Sequence, residues 1–263
     1  MAERRFELRA GGHRLEAAWI GPPPEEKTTL VLLHEGLGCT DAWKDFPARL
    51  AGWTGLGVLV YSRWGYGRSD PVTLPRPLRY MHDEGAVLPE VLRAAGVRDA
   101  VLVGHSDGAS IAIVAAGSAP AREDVPIRAL ALLAPHVFCE DRSVEGIEKA
   151  RDAYAHGELR ARLAKYHADV DGAFWGWNRA WLDPDFRRWN IEEYLPAIEV
   201  PVLVVQGDAD EYGTLAQVDA IERAVRGPVT RCILHGAGHS PQRDAADATL
   251  AAIANLVSSS LPR

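Results

Sequence analysis

The pentapeptide Gly104-His105-Ser106-Asp107-Gly108 constrains the fold of this chain more than any other segment. It directly follows the apolar run Ala100–Val103 and directly precedes the helix-forming run Ala109–Ala116. The pattern G-x-S-x-G between a strand and a helix predicts a sharp, strained turn that exposes the serine hydroxyl, called a nucleophile elbow. The glycines let strand and helix approach each other, and the helix N-terminus favours negative charge beside the serine. The alternative interpretation is an ordinary turn between a strand and a helix.

Short apolar runs recur along the whole chain and alternate with longer amphipathic segments. Continuous apolar runs are typical of parallel strands that are buried on both faces of a sheet. The runs are Leu30–Leu33, Val58–Tyr61, Ala100–Val103, Ala129–Leu133 and Val202–Val205, and Val229–Leu234 supplies one more strand. The helical patterns between them cover Ala42–Gly52, Tyr80–Ala95, Ser106–Ser118, Leu215–Val225 and Ala245–Ser259. This alternation predicts an α/β fold with a mostly parallel central sheet and helices on both faces.

The first twenty residues follow a different pattern. Phe6–Ala10 and Leu15–Ile20 alternate apolar and polar residues around Gly11-Gly12, which predicts an antiparallel hairpin.

Residues 137–197 interrupt the alternation because they contain no clear strand pattern. The segment resembles a series of short helices and holds four of the eight tryptophans, Trp175, Trp177, Trp181 and Trp189. We expect a helical cap at 137–197, inserted after the sixth strand, over a core formed by 1–136 and 198–263. The alternative is a helical excursion at the edge of the sheet.

Charge and cysteine content exclude several classes of function. The 29 basic and 36 acidic residues give a net charge of −7, which disfavours a nucleic-acid partner because phosphate binding needs a basic surface. No apolar window reaches the ~18 residues of a membrane span, and the first residues lack the apolar core of a secretory signal. The three cysteines have no paired spacing, so we expect neither disulfides nor a zinc site, and a cytoplasmic location. The sequence leaves open whether the chain forms a homo-oligomer.

A serine nucleophile needs a base and an acid that orients the base, and elbow enzymes carry them in the order serine, acid, histidine. Asp210 follows the strand Val202–Val205 with the spacing G-x-x-D and is the predicted acid, with Asp208 and Glu211 as competitors. His239 follows the strand Val229–Leu234 and a pair of glycines and is the predicted base. His235, at the end of that strand, is expected to be structural.

Stabilisation of a tetrahedral oxyanion needs two backbone N–H groups. One is expected from Asp107, the residue after the nucleophile, and the other from the loop His34-Glu35-Gly36-Leu37-Gly38 that follows the first buried strand.

Together these segments resemble the α/β-hydrolase family of the serine esterase type. The resemblance rests on His34 with Gly38 and Trp43, on Ser62-Arg63-Trp64-Gly65-Tyr66-Gly67-Arg68-Ser69, and on the segments GHSDG, GDAD and GAGH, all in family order. The Ser-Asp-Gly elbow and a cap that begins near His136 are similar to the valacyclovir-hydrolase-like branch. The resemblance implies a triad of Ser106, His239 and Asp210.

The chain departs from the family where Glu35 replaces the usual glycine after His34. The spacing from His34 to Gly38 is undisturbed, so we interpret Glu35 as a substitution and not as an insertion. In this register the second oxyanion donor is expected to be the N–H of Gly36, with Leu37 as the fallback. The Glu35 side chain is expected either to be solvated or paired with Arg63 or His34, or to lie in the substrate site.

Two further features have both a structural and a functional interpretation. The carboxylate of Asp107 is either a favourable charge in the first helical turn or a selector of cationic substrate groups. The aromatic residues of the cap either pack the lid or form an apolar wall for the substrate. The candidate substrate-binding residues are Glu35, Leu37, His136, Trp175, Trp177 and Trp181.

The resemblance implies a hydrolase that cleaves small or medium carboxylic esters through an acyl-enzyme and needs no metal or organic cofactor. One alternative uses the same triad for carbon–carbon bond, amide or lactone hydrolysis or for perhydrolysis, since fold does not decide chemistry. A second alternative is a non-catalytic ligand-binding module with this fold. The only expected partner is a small-molecule ester substrate, with no nucleic acid and no membrane.

Overall fold

The computed structural model describes residues 3–25, 27–118 and 125–261, and in these ranges eight strands form one sheet. The strand order is β1-β2-β4-β3-β5-β6-β7-β8. β1 pairs antiparallel with β2 and β2 with β4, whereas all other neighbours run parallel. The strands are β1 Glu3–Ala10, β2 His13–Ile20, β3 Thr29–Leu33, β4 Gly57–Tyr61, β5 Ala100–His105, β6 Ile127–Leu133, β7 Val202–Gly207 and β8 Val229–Leu234. The predicted fold class and the amino-terminal hairpin are therefore confirmed.

Helices cover both faces of the sheet, which explains why the central strands are continuous apolar runs. Alternate residues of one strand enter different cores: Leu30 and Leu32 pack on one side and Val31 and Leu33 on the other. Successive side chains of a strand point to opposite faces, so a strand covered twice has no polar face.

Among the described residues, most helices lie in the connections between strands, and the last two follow β8. The helices are α1 Phe46–Thr54, α2 Tyr80–Ala94, α3 Asp107–Gly117, α4 Asp141–His156, α5 Leu159–Leu163, α6 Val170–Trp181, α7 Leu215–Ala224, α8 Pro241–Asp244 and α9 Ala246–Ser260. Residues of α1 and α9 pack in the core that contains Leu30, and residues of α2, α3 and α7 pack in the core that contains Val31.

The prediction of one continuous helix at Ala42–Gly52 is wrong, because two separate helical pieces cover this segment. A 3₁₀ turn covers Thr40–Trp43, and the chain then passes through Lys44 at φ 54° and ψ −123° before α1 begins. A left-handed backbone angle at a lysine ends the first turn, so the amphipathic pattern spans two separate helical pieces.

Residues 137–197, which we call the insert, contain α4, α5, α6 and two 3₁₀ turns, Pro184–Arg188 and Glu192–Ala197. The insert follows β6 and ends before β7. Its boundaries as an independent cap domain stay a prediction. Within the described ranges, no helix is long and apolar enough to cross a membrane.

Candidate active site

The elbow forms where β5 ends and α3 begins. Ser106 has φ 53° and ψ −118°, a backbone conformation that non-glycine residues rarely adopt. The turn places the residue at the amino-terminal end of α3, where its side chain caps no backbone N–H group. The hydroxyl is thus free to interact with groups from other loops.

The two glycines of the elbow are required by close backbone approach. A Cβ atom on Gly104 would lie 2.6 Å from the backbone of Ala109, and a Cβ atom on Gly108 would overlap the carbonyl oxygen of Leu33. Real Cβ contacts are longer than this, and a backbone atom in a sheet cannot move away cheaply. The glycines therefore let α3 lie directly against β3 and β5.

Ser106, His239 and Asp210 form a continuous chain of hydrogen bonds. The Nε2 atom of His239 lies 2.9 Å from the Oγ of Ser106. On the other side of the ring, Nδ1 lies 2.8 Å from Oδ2 and 3.0 Å from Oδ1 of Asp210. Because an ionised carboxylate only accepts hydrogen bonds, Nδ1 carries the proton and Nε2 is left to accept from the serine hydroxyl. This arrangement can remove a proton from Ser106 as the hydroxyl attacks a carbonyl group.

Asp210 is buried and held by several donors. Its Oδ1 accepts the N–H groups of Tyr212 and Gly213 at 2.7 and 3.1 Å, and its Oδ2 accepts the amide of Gln206 at 2.7 Å. Burial would raise the pKa of this carboxyl, but the hydrogen bond and charge of His239 and the N–H of Tyr212 outweigh it and lower the pKa to about 2. Asp210 is therefore charged at neutral pH and keeps the imidazole in one tautomer.

Neither competing acid contacts the imidazole ring of His239. Asp208 contacts the exposed ring of His235 and accepts the N–H of Gly236 at 2.7 Å, so these two residues form a separate pair. Glu211 is exposed and accepts the backbone N–H of His239 at 3.2 Å, without contacting the imidazole ring.

The predicted oxyanion loop is fixed by two buried side chains. His34 donates from Nδ1 to the carbonyl of Glu35 at 2.7 Å and accepts the N–H of Arg63 at Nε2, 3.0 Å away. Arg63 donates from Nη2 to the same carbonyl of Glu35 at 2.9 Å. Burial, together with the charge of Arg63, holds the pKa of His34 well below its ordinary value, so the ring is neutral. Gly36 and Leu37, the two candidate donors, both line the cleft above this loop.

Glu35 does not use the partners expected from the sequence. Arg63 and His34 contact its backbone carbonyl, whereas its carboxylate approaches His105, with 3.5 Å between Oε2 and Nδ1. The Glu35 side chain is 31% exposed and lies at the wall of the cleft.

The carboxylate of Asp107 is enclosed. The residue has no exposed surface, and its Oδ2 accepts the hydroxyl of Tyr80, which in turn accepts the indole N–H of Trp181 at 3.0 Å. Burial raises the pKa of Asp107, and the charge of Arg63 opposes that rise. An enclosed carboxylate with its own donor is poorly placed to select a cationic substrate group, which favours the structural interpretation of this side chain.

A cleft of about 500 Å³ opens over Ser106 and His239. Trp177 and Trp181 of α6 line it together with His136, but Trp175 does not. Trp175 instead packs against Tyr154 and Phe174 of the insert. The structure therefore divides the predicted aromatic wall into two cleft residues and one packing residue.

The insert contacts the oxyanion loop directly. Trp177 lies so close to Gly36 that a Cβ atom there would overlap its indole. His167 donates from Nε2 to the carbonyl of Leu37 at 3.0 Å and accepts the N–H of Gly67 at Nδ1, also at 3.0 Å.

His136 lies beside His239, the predicted base. Its ring centroid is 5.5 Å from that of His239 and 5.4 Å from a ring of Trp181. Burial, and the proximity of His239, lower the pKa of His136 to about 3. His136 is therefore a neutral ring in the wall of the cleft.

Sequence reasoning missed three residues that hold the site together. They are His105, Gln206 and Tyr80, which bind the backbone of His239, the carboxylate of Asp210 and the carboxylate of Asp107. His105 and Gln206 are polar residues at the ends of otherwise apolar strands, and that position is the one signal that could have identified them. Among the described residues, no group of three or more histidine, cysteine, aspartate or glutamate side chains could hold a metal ion.

A family model described as "Alpha/beta hydrolase family" matches residues 30–252. No curated protein matches the sequence of the chain.

Several solved structures are similar in fold. The enol-lactonase from Burkholderia xenovorans LB400 superposes with a TM-score of 0.74 at 20% identity, covering 96% of this chain and all of that one. A thermophilic esterase from Thermogutta terrifontis gives 0.73 at 18% identity, covering 97% and 98%. The proline iminopeptidase of Mycobacterium smegmatis gives 0.75 at 17% identity, also covering 97% and 98%. The TM-scores establish a shared fold, and the names of the three proteins state different activities.

Proposed function

The chain belongs to the alpha/beta hydrolase family, and on that premise we propose that it is a serine hydrolase that cleaves carboxylic esters through an acyl-enzyme intermediate. The observation that carries the proposal is the pair of contacts made by the His239 ring, 2.9 Å to the Ser106 hydroxyl and 2.8 Å to the Asp210 carboxylate.

In the proposed acylation step, the Oγ of Ser106 attacks the ester carbonyl and its proton passes to Nε2 of His239. Asp210 stabilises the imidazolium that forms, and its two backbone donors and Gln206 keep it oriented. His239 then gives the proton to the departing alcohol. Water, activated by the same ring, releases the acid and restores the hydroxyl.

The tetrahedral intermediates carry negative charge on the former carbonyl oxygen. The N–H groups of Gly36 and Asp107 are the proposed donors to it, with Leu37 as the alternative to Gly36. Asp107 begins α3, so the positive end of the helix also faces this charge. His34 and Arg63 support the arrangement because they fix the loop that carries Gly36.

Two features support an ester as the substrate. The cleft of about 500 Å³ has the size of small-molecule sites. Two proteins of similar fold are named an esterase and an enol-lactonase, and both names refer to the cleavage of ester-type bonds.

A substrate panel tests the proposal. Purified protein is assayed with p-nitrophenyl esters of two to eight carbons, an aryl amide of equal size and a ring-cleavage diketone, with Ser106→Ala as the control. We expect turnover of the short esters and loss of that turnover in the variant. Turnover confined to the diketone or the amide would overturn the ester assignment and leave the serine mechanism.

Labelling by a fluorophosphonate probe separates an enzyme from a binding module. A competent serine forms a stable phosphonyl adduct, and peptide mass spectrometry identifies the modified residue. We expect the adduct on Ser106 in the wild type and none in His239→Ala. An unlabelled wild type that also turns over no member of the panel would overturn the proposed function.

A further inference from the structure

The ring of His105 makes two hydrogen bonds to the segment that carries the proposed base. Its Nε2 lies 2.7 Å from the backbone carbonyl of His239, and its Nδ1 lies 3.0 Å from the side-chain nitrogen of Gln242. A carbonyl oxygen only accepts and an amide nitrogen only donates, so the ring proton is on Nε2 and Nδ1 accepts. Both ring nitrogens are therefore satisfied, and their two partners lie only three positions apart in the chain.

His105 is enclosed and sits directly before the nucleophile. It is the last residue of β5, its side chain is 2% exposed, and its ring centroid lies 6.3 Å from that of Trp43. Turning the ring over would exchange nitrogen for carbon at both hydrogen bonds. A buried ring that is bonded at both nitrogens therefore has one orientation, and its position is tied through the backbone to Ser106.

The carboxylate of Glu35 takes no part in these two hydrogen bonds. Its Oε2 lies 3.5 Å from Nδ1 of His105, and Nδ1 carries no proton to donate to it. The amide of Gln242 supplies the hydrogen that the lone pair of Nδ1 accepts beside this acidic side chain.

The backbone of His239 is held by side chains on both of its polar groups. Its carbonyl accepts from His105, and its N–H donates to Oε2 of Glu211 at 3.2 Å. Gln242 belongs to α8, the helical turn that begins two residues after His239. The two contacts of His105 thus fasten both the residue of the proposed base and the turn that follows it to the end of β5.

We propose that His105 and Gln242 form a clamp that holds the loop of His239 in register with the elbow, and that both are positioning residues of the site. The nucleophile follows β5 and the base follows β8, and β6 and β7 lie between these strands in the sheet. Direct strand pairing therefore does not fix the base against the nucleophile. The clamp acts on the reaction through His239, so it rests on the proposed function.

The physical reason for a clamp is the precision that proton transfer requires. Nε2 of His239 lies 2.9 Å from the hydroxyl of Ser106, and a displacement of about 1 Å between a reacting group and its partner can cost about a hundredfold in rate. Looseness in the loop of His239 should lower kcat more than it changes KM.

Two substitutions of His105 separate the hydrogen bond from packing. His105→Leu removes both contacts, whereas His105→Gln keeps a side-chain N–H that can reach the carbonyl of His239. For a short neutral ester we expect His105→Leu to lower kcat by about 10- to 100-fold with KM changed less than threefold, and His105→Gln to stay within fivefold of the wild type. Packing alone predicts no such rescue, because leucine suits an enclosed site at least as well as glutamine does.

Gln242→Met tests the second contact, because methionine has a similar length and no N–H donor. We expect this variant to lower kcat by about three- to tenfold. Combined with His105→Leu it should slow the enzyme by less than a further twofold, since the contact that it removes is already absent.

His235→Leu is the matched control. It removes a histidine from the same loop, whose ring is fully exposed and contacts Asp208, and kcat should stay within twofold. Thermal unfolding of every variant separates loss of alignment from loss of fold. If His105→Leu does not fold, the comparison continues with Gln242→Met, because Gln242 is half-buried on a short surface helix.

A second measurement does not depend on turnover. Long-range ¹H–¹⁵N spectra at pH 7.5 show which ring nitrogens carry a proton, and the signals of His105 are those that His105→Gln lacks. We expect a proton on Nε2 and none on Nδ1 in the wild type.

Three results would overturn the clamp: equal kcat in the leucine and glutamine variants of His105, full additivity of His105→Leu and Gln242→Met, or a proton on Nδ1 of His105 in the wild type. If the wild type is labelled at Ser106 but hydrolyses no ester, labelling rates replace kcat in the comparison. Failure of the wild type to label overturns the clamp together with the proposed function.

Discussion

The carbonyl oxygen of Leu33 lies where a Cβ atom on Gly108 would have to be. Leu33 ends β3 and Gly108 is in the first turn of α3, so the contact fixes how closely the helix approaches the sheet beside the proposed nucleophile. A side chain at position 108 would push this helix away from the loop that follows β3.

Gly108→Ala should therefore destabilise the protein and reduce its activity. Forced overpacking against backbone typically costs about 1–3 kcal/mol, and the shift would fall on the elbow itself. Gly176→Ala is the control, because a Cβ atom there meets only side chains at 3.3 Å or more within a helix. Urea unfolding should show the loss for Gly108→Ala alone, and equal free energies of unfolding for the two variants would contradict the steric argument.

Backbone strain at Ser106 predicts that a glycine at this position makes the protein more stable than an alanine does, while activity is lost with either residue. Glycine adopts φ 53° without the penalty that serine and alanine share, so Ser106→Gly should unfold at higher urea concentration than Ser106→Ala. We expect a difference of about 1 kcal/mol, with turnover lost in both variants. Since both lack the hydroxyl, their difference reports the backbone alone, and a less stable glycine variant would refute strain at this residue.

The choice among the acidic residues after β7 is tested by a matched pair. Asp210→Asn should lower kcat/KM by roughly 10³- to 10⁴-fold, because an amide no longer fixes the tautomer of His239 or stabilises its charged form. Asp208→Asn should leave kcat/KM within twofold, since Asp208 contacts His235 outside the cleft. A greater loss in the Asp208 variant would reverse the assignment.

The neutral, buried ring of His136 predicts a loss of stability in acid. Its pKa is about 3 in the folded protein and near 6.5 when unfolded, so below pH 6.5 the unfolded chain binds a proton that the folded chain does not. The stabilisation is fully present above pH 6.5 and declines as pH falls toward 3. At pH 4.5 the loss from this group should be about 2–3 kcal/mol.

Urea unfolding at pH 7.5 and 4.5 measures this loss, with His136→Phe as the variant that keeps a ring and cannot titrate. The free energy of unfolding should fall less between the two pH values in the variant than in the wild type. Equal decreases would mean that His136 does not contribute to the acid sensitivity.

The tryptophans of α6 should differ in their effect on substrate choice. Trp177 lines the cleft, so Trp177→Ala should change the ratio of kcat/KM for an octanoate ester to that for an acetate ester by about tenfold or more. Trp175→Ala should lower the melting temperature and leave that ratio within threefold, because Trp175 packs inside the insert. A uniform loss over all esters in the Trp177 variant would assign this residue a packing role only.

Local patterns in the chain were sufficient to predict the strands of the sheet and the turn at Ser106, although they merged two helical pieces in Ala42–Gly52 into one helix. Continuous apolar runs predict strands buried on both faces, and the glycines around Ser106 predict a sharp turn, because both depend on the conformation and burial of neighbouring residues. The same patterns placed Ser106, Asp210 and His239 after strand ends, where the loops of a parallel sheet meet at one edge.

Tertiary structure alone decided which side chains meet. Asp210 contacts His239, Asp208 contacts His235, and the choice depends on how two loops fold over the strand ends. The carboxylate of Glu35 reaches His105 because the loop after β3 lies beside β5 in space. Such contacts join residues far apart in the chain and depend on distances of a few tenths of an ångström. Periodicity and spacing describe only neighbours in the sequence, so these contacts become visible only when the sheet brings its strands together.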